Sequence, residues 1–208
     1  MIIEKLEVGM IMANCYIVGC EKTRQAVVID PGDEGDRILY RLADNKLTVA
    51  YIINTHGHFD HVGANKQLKE ATGADLLIHE ADAPMLSMLS EMAESFGMAM
   101  DNSPPPDRTL KDGDKITFGD ITMDVIHTPG HTPGGISLVT DKKAFVGDTL
   151  FAGSIGRTDF PGGDFNTLIE SIQKRLFPLG DDVTVYCGHG PETTIGMERR
   201  TNPFVMMP

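Results

Sequence analysis

The segment Thr55-His56-Gly57-His58-Phe59-Asp60-His61 gathers three imidazoles and a carboxylate into one short loop. The apolar run VAYIINT before it (residues 49–55) reads as a strand, so the cluster is delivered at a strand tip. Residues two apart on extended chain point the same way, which lets His56 and His58 converge on one point. Asp60 and His61 follow where the chain turns and can face a second point close by. Imidazole nitrogens and carboxylate oxygens are the donor set of zinc and similar divalent ions. The same grammar recurs downstream. His131 follows the strand-like ITMDVIHT (121–128), Asp148 closes KAFVGD (143–148), and His189 follows VTVYCG (183–188). Any fold for this chain must therefore return several distant strand ends to one edge, with glycines beside them (Gly57, Gly130, Gly147, Gly188, Gly190) letting backbone crowd a common centre.

The remaining pattern supplies such a frame. Residues 1–8, 15–19, 25–30 and 75–79 read as further strands, and 36–45, 63–73 and 80–97 as helices, the last two ended by Gly73 and Gly97. A stiff loop at Ser103-Pro104-Pro105-Pro106-Asp107 separates a second half that opens with a hairpin around Gly119-Asp120. A second hairpin turns at Asp141-Lys142, an amphipathic helix covers 164–179, and a short helix 193–204. Strands come in two groups, each closed by helices, so the expected class is α/β (α+β): two sheets face to face with helices outside, as one domain over residues 1–208.

Composition narrows the partners. With 18 Lys+Arg against 30 Asp+Glu the net charge is −12, which disfavours nucleic acid. No apolar run reaches the ~18 residues that span a bilayer. Three cysteines (Cys15, Cys20, Cys187) make no disulfide framework. The N-terminus carries Glu4 and Lys5 and no apolar core of a signal peptide, so the expected location is cytoplasmic. Oligomeric state is not readable; the apolar stretch Pro203-Phe204-Val205-Met206-Met207 is free to dock on the body or on a partner. Of the other histidines, His79 is expected to be structural, and His127 to make a hydrogen bond behind the cluster rather than ligate. Cys187 reads as a buried thiol.

At these residues the chain resembles the metallo-β-lactamase superfamily, whose signature is H-x-H-x-D-H followed by a later His, Asp and His. The resemblance implies an αββα sandwich with two metal ions at one edge of the sheets. It places His56, His58 and His131 on the first ion, Asp60, His61 and His189 on the second, and Asp148 between them. Zinc is the expected metal, with iron or manganese as alternatives. Within the superfamily the chain is most similar to the glyoxalase II-like group, through Gly147-Asp148-Thr149-Leu150-Phe151, Gly156-Arg157-Thr158-Asp159-Phe160 and Cys187-Gly188-His189-Gly190-Pro191-Glu192-Thr193-Thr194. That group hydrolyses hydroxyacylglutathione thioesters such as S-lactoylglutathione. Its longer members hold glutathione with basic residues of a C-terminal helical extension; here only a short stretch follows His189, which matches a shorter, mostly bacterial branch. Arg157 is the candidate substrate-binding residue, with Arg199 and Arg200 expected at the surface.

The implied reaction is attack of a metal-bound hydroxide on an acyl carbonyl, with Asp60, Asp148 and His131 as the catalytic side chains. The departing thiolate needs little protonation, because thiols titrate near ~8.5. Three rivals share the residues. A mononuclear iron persulfide dioxygenase would use His56, His131 and Asp148 alone, and the complete second set argues against it. A lactonase or other ester hydrolase uses the same nucleophile. A metal-stabilised binding module would show a closed, commonly cysteine-rich site instead.

Overall fold

The structure, a computed structural model, describes residues 1–95, 97 and 99–206. Six strands form a first sheet: β1 (Ile2–Val8), β2 (Ala13–Gly19), β3 (Gln25–Ile29), β4 (Thr48–Ile53), β5 (Asp75–His79) and β6 (Arg108–Leu110), in that order. The first two pairings are antiparallel and the next three parallel. A second six-stranded sheet is built from β7 (Lys115–Phe118), β8 (Ile121–His127), β9 (Ile136–Thr140), β10 (Lys143–Gly147), β13 (Thr184–Cys187) and β14 (Thr193–Thr194). Its order is β14-β13-β10-β9-β8-β7, with β10 and β13 parallel. A small hairpin, β11 (Leu150–Phe151) with β12 (Ser154–Ile155), follows β10.

Strand periodicity explains the layering. Along β2, Cys15 and Ile17 face one apolar cluster while Tyr16 and Val18 face another, so every residue of the strand is buried. The inter-sheet cluster joins Val27, Ile29, Ile53 and Leu77 to Phe118, Met123, Val125, Leu138 and Phe145. The outer face of the first sheet is covered by Ile38 and Leu42 of α1 (Gly35–Asp44) and Leu68 of α3 (Asn65–Thr72). On the far side, Leu168 of α5 (Phe165–Ser171) and Ile195 of α6 (Ile195–Thr201) pack on Ala144, Val146 and Val185. Helix, sheet, sheet, helix is the expected αββα sandwich. Asp164 caps α5 through Thr167 N at 2.7 Å, and Thr194 caps α6 through Met197 N at 3.2 Å.

Three expected helices differ in detail. Residues 80–97 divide into a 3-10 turn at Ala83–Met88, with Pro84 in its first turn, and α4 (Leu89–Ser95); Phe96 lies outside the described residues. Proline lacks the N–H that would bond backward, so a helix starting at residue 80 would lose a rung there. The helix expected over 164–179 begins as α5, widens to a π-helix at Ile172–Leu176, and closes as a 3-10 turn before Gly180. The last helix is shorter than 193–204, since Thr193 and Thr194 pair with β13. Val205 docks into the outer cluster of the second sheet, whereas Met207 lies outside the described residues.

The parallel strands matter most for the site. β3 and β4 end together at Ile29 and Ile53, just before Asp30 and Thr55, and β10 and β13 end together at Gly147 and Cys187, just before Asp148 and Gly188. Four backbone bonds tie these ends: Ile136 N to Thr55 O (2.9 Å), Asn14 N to Gly188 O (2.7 Å), Gly188 N to Gly147 O (2.7 Å) and Asp30 N to Ile53 O (3.0 Å). Ligand sites at the carboxyl ends of parallel strands are a general property of α/β sheets.

Candidate metal centre

All seven expected residues meet at this edge. His56 lies three residues beyond the end of β4, and a single turn, α2 (Phe59–Val62), swings Asp60 and His61 around behind it. His58 Nδ1 and His131 Nε2 face each other at 2.9 Å, and His61 Nε2 and His189 Nε2 at 3.2 Å. Asp60 Oδ2 stands 3.3 Å from His189 Nε2. Asp148 reaches both groups, with Oδ1 3.4 Å from His61 Nε2 and Oδ2 3.5 Å from His131 Nε2. Donor atoms of His56, His58 and His131 lie within 4.8 Å of one another, as do those of Asp60, His61 and His189.

Hydrogen bonds at the back of the rings assign which nitrogen faces inward. His131 Nδ1 donates to Arg157 O at 2.7 Å, and His61 Nδ1 donates to Asp30 Oδ2 at 3.1 Å. Thr55 Oγ1 donates to Asp30 Oδ2 (2.6 Å) and takes the Nδ1 proton of His56 (3.1 Å). Each of these rings is thereby left with Nε2 toward the centre. His56 Nε2 and Asp148 Oδ1, both buried, have no hydrogen-bond partner among the described residues. The inward nitrogens of His58 and His131 crowd to 2.9 Å beside these two buried acceptors, an arrangement that a cation among them would satisfy. Two ligands about 2.0–2.1 Å from one tetrahedral zinc stand about 3.3 Å apart, within the range of 2.9 to 3.7 Å found between the donor atoms here. The residues fit a divalent ion.

Charge tells the same story. Burial, then the neighbouring imidazoles, holds His56 well below its usual range, and the same causes bring His58 down to about 3. Both are neutral and ready to donate. Burial opposes charge on His61, but Asp148, Asp60 and Asp30 outweigh it and lift the ring to about 10. Burial likewise opposes charge on Asp60, and His61 and His189 overcome it, keeping the carboxylate ionised. A positive charge is wanted where these carboxylates converge.

Two carboxylates escaped the sequence reading. Asp30, at a left-handed φ of 52°, accepts from Thr55 N (2.7 Å) as well as from Thr55 Oγ1 and His61. It lies close enough to His56 and His61 to form a third potential ligand group. Its oxygens are already taken by those donors, so it orients rings instead. Asp82 is fully buried and accepts from Gly57 N (3.0 Å), Thr132 Oγ1 (2.7 Å) and Gly134 N (2.6 Å), fastening the His56 loop to the His131 loop. The position of Asp30 at the end of the strand expected over 25–30 is a readable signal, whereas Asp82 falls inside the helix expected over 80–97.

The other candidates sit apart. His79 and His127 stack at 4.3 Å, and His127 Nε2 bonds Pro133 O behind the His131 loop at 2.9 Å. Cys187 is buried, its thiol pushed up to about 12 by burial. The Arg157 guanidinium is bound by Asp159 through two bonds of 2.8 and 2.7 Å, so its carbonyl rather than its charge touches the centre. Arg199 and Arg200 pair with Asp181 on the surface. The centre opens into a cavity of ≈ 880 Å³, lined by Met85, Met88, Phe151, Arg157 and Phe160 among others.

Comparison with known proteins agrees with this geometry. The family model of the metallo-β-lactamase superfamily matches residues 8–189. Hydroxyacylglutathione hydrolase GloC of Haemophilus influenzae is 41% identical over 207 residues, covering 98% of this chain and 97% of that protein. The crystal structure of BLEG-1 B3 metallo-β-lactamase superposes with a TM-score of 0.93 at 35% identity, covering 99% of this chain and 100% of the other. TTHA1623 in a di-iron-bound form superposes with a TM-score of 0.89 at 39% identity, over 97% and 99% of the two chains. Clusters able to hold divalent metal, the sandwich and these relatives converge: the chain belongs to the metallo-β-lactamase superfamily of metallo-hydrolases.

Proposed function

We propose that this protein is a binuclear thioester hydrolase acting on hydroxyacylglutathione thioesters, S-lactoylglutathione foremost. The observation that carries the reading is the pair of ligand groups joined by Asp148 at the floor of an open cavity. In this reading His56, His58 and His131 hold one ion, Asp60, His61 and His189 the other, and Asp148 bridges, with zinc as the metal. Bound there, the ions would supply an acidified water and polarise the acyl carbonyl. The chain supplies the rest. Asp30 and Thr55 fix the tautomers of His61 and His56, and Arg157 O fixes that of His131. Asp82 keeps the two loops that carry His58 and His131 in register. The carboxylates of Asp60 and Asp148 would moderate the positive charge of bound ions, leaving room for an anionic nucleophile.

The name of the Haemophilus relative supports the glutathione thioester, and three free thiols suit a reducing cytoplasm. No helix among the described residues is long and apolar enough to cross a membrane. Arg157 remains our candidate for contacting substrate, through its position on the cavity wall. A mononuclear iron dioxygenase would leave the Asp60–His61–His189 group without a purpose. The test is thiol release from S-lactoylglutathione by purified protein, alongside a lactone and a β-lactam. Chelator-sensitive thiol release, faster than opening of either ring, is expected; ring opening without thiol release would move the assignment to another ester class.

A further inference from the structure

Both flanks of the centre are apolar. The Phe160 ring lies 5.7 Å from that of His58, edge-on at one side, and Phe151 lies 6.2 Å from His189 at the other. Met85, Met88 and Met92, from the segment after Asp82, line the same cavity, with Ile155 opposite on the β11–β12 hairpin. Three methionines on one wall make an adaptable surface, because an unbranched thioether side chain repacks around differently shaped apolar groups.

Charge in the cavity points the same way. Among the described residues that line it, Arg157 is the one permanently cationic side chain, and Asp159 holds its guanidinium by two hydrogen bonds while the ring of Phe160 lies 3.7 Å beneath it. Glu91 adds a carboxylate to the wall, and the protein as a whole carries −12. The glutathione part of a thioester brings two carboxylates and one ammonium. Among the described residues the cavity wall offers no unengaged side-chain cation for the carboxylates, whereas an alkyl or aryl group finds a wall of methionine and phenylalanine.

We infer that the cavity selects thioesters by an apolar acyl substituent, and that the charged peptide of glutathione contributes little to recognition. The inference rests on the thioesterase reading above and widens its substrate range from hydroxyacylglutathione thioesters to medium-chain or aromatic acyl thioesters of other small thiols. An apolar wall binds ground state and transition state alike, so the gain appears in KM and leaves kcat nearly unchanged.

Hydrolysis of acetyl, butyryl and hexanoyl thioesters of N-acetylcysteamine by the metal-loaded protein tests it. Each methylene fully withdrawn from water multiplies kcat/KM by about fourfold. Half-burial of the four added methylenes therefore gives roughly 15-fold from acetyl to hexanoyl. A rise of tenfold or more, carried by KM, is expected. Met88→Gln, at a residue 48% exposed, should cut the hexanoyl-to-acetyl ratio in kcat/KM at least threefold. Moving one acyl group from N-acetylcysteamine to glutathione should change kcat/KM by less than tenfold. A flat or falling series, or a tenfold gain from the glutathione carrier, overturns the inference while leaving the thioesterase standing. Failure of a two-metal protein to cleave any thioester brings down the thioesterase reading, and this inference with it.

Discussion

Asp30→Asn is the most informative single substitution, because it changes one proton position and little else. The carboxylate of Asp30 accepts from Thr55 N through Oδ1, and from Thr55 Oγ1 and His61 Nδ1 through Oδ2. An asparagine can keep the first bond with its carbonyl oxygen, and it tolerates the left-handed φ of 52°. Its amide then occupies the place of Oδ2. Thr55 adapts by turning its hydroxyl, but His61 must present a lone pair at Nδ1, which moves its proton to Nε2, the atom aimed at Asp148 and His189. To take an ion the ring must return to the other tautomer, losing one bond to a charged acceptor and meeting an amide N–H instead. That costs about 1.5–3 kcal/mol, or roughly 10- to 150-fold in the dissociation constant of the Asp60–His61–His189 ion. The His56–His58–His131 group feels the change only through Thr55 and should lose less than about tenfold. Equilibrium titration against a chelator buffer, with metal per chain read by mass spectrometry, resolves the two ions. Retention of both within threefold of the parent, or loss confined to the first group, would refute the tautomer argument.

Other perturbations follow from the same geometry. Asp148→Asn removes the charge shared between the groups and should lose metal and hydrolysis together, by more than about 100-fold in kcat/KM; full activity would contradict the bridging role. Gly188→Ala places a Cβ 2.1 Å from Asp148 Oδ1 and 2.9 Å from His61 Cε1, so metal content should fall while circular dichroism keeps its sheet signature. Asp82→Ala strands the donors of Gly57, Thr132 and Gly134 in a buried place, with an expected loss of about 2–4 kcal/mol; thermal unfolding should shift by roughly 5–15 °C, and an unchanged Tm would count against it. Chelation of the native protein should lower Tm by a comparable roughly 5–15 °C, as expected for losing a ligand held at 100 to 1,000 times its Kd.

Much of this was legible in the sequence because the chemistry repeats at strand ends. His56, His131, Asp148 and His189 each follow an apolar run; His56, Asp148 and His189 arrive at one edge because β3–β4 and β10–β13 are parallel pairs that end together, and His131 joins them from β8, which like β10 runs antiparallel to β9. The two hairpins were readable from Gly119-Asp120 and Asp141-Lys142, whose registers close Phe118 on Ile121 and Thr140 on Lys143. Less visible were features set by partners distant in the chain. Asp82 matters only because Gly57 and Gly134 come to it from loops 25 and 52 residues away, and nothing local marks it. Periodicity also could not show that the 164–179 segment relaxes into a π-helix, where Ile172 and Leu176 still reach the core. The Arg157 side chain, attractive in sequence as a free cation, is taken by its neighbour Asp159, a local pairing that residue type alone did not reveal.

The proposed thioesterase requires that seven residues hold two ions and that these ions drive thioester cleavage. Metal content of the purified protein, read beside S-lactoylglutathione hydrolysis before chelation, after it and after reloading, tests that claim most directly. The account predicts two divalent ions per chain, loss of thiol release on chelation and its return with added zinc. A single iron per chain with oxygen consumption, or thiol release indifferent to chelation, would contradict it.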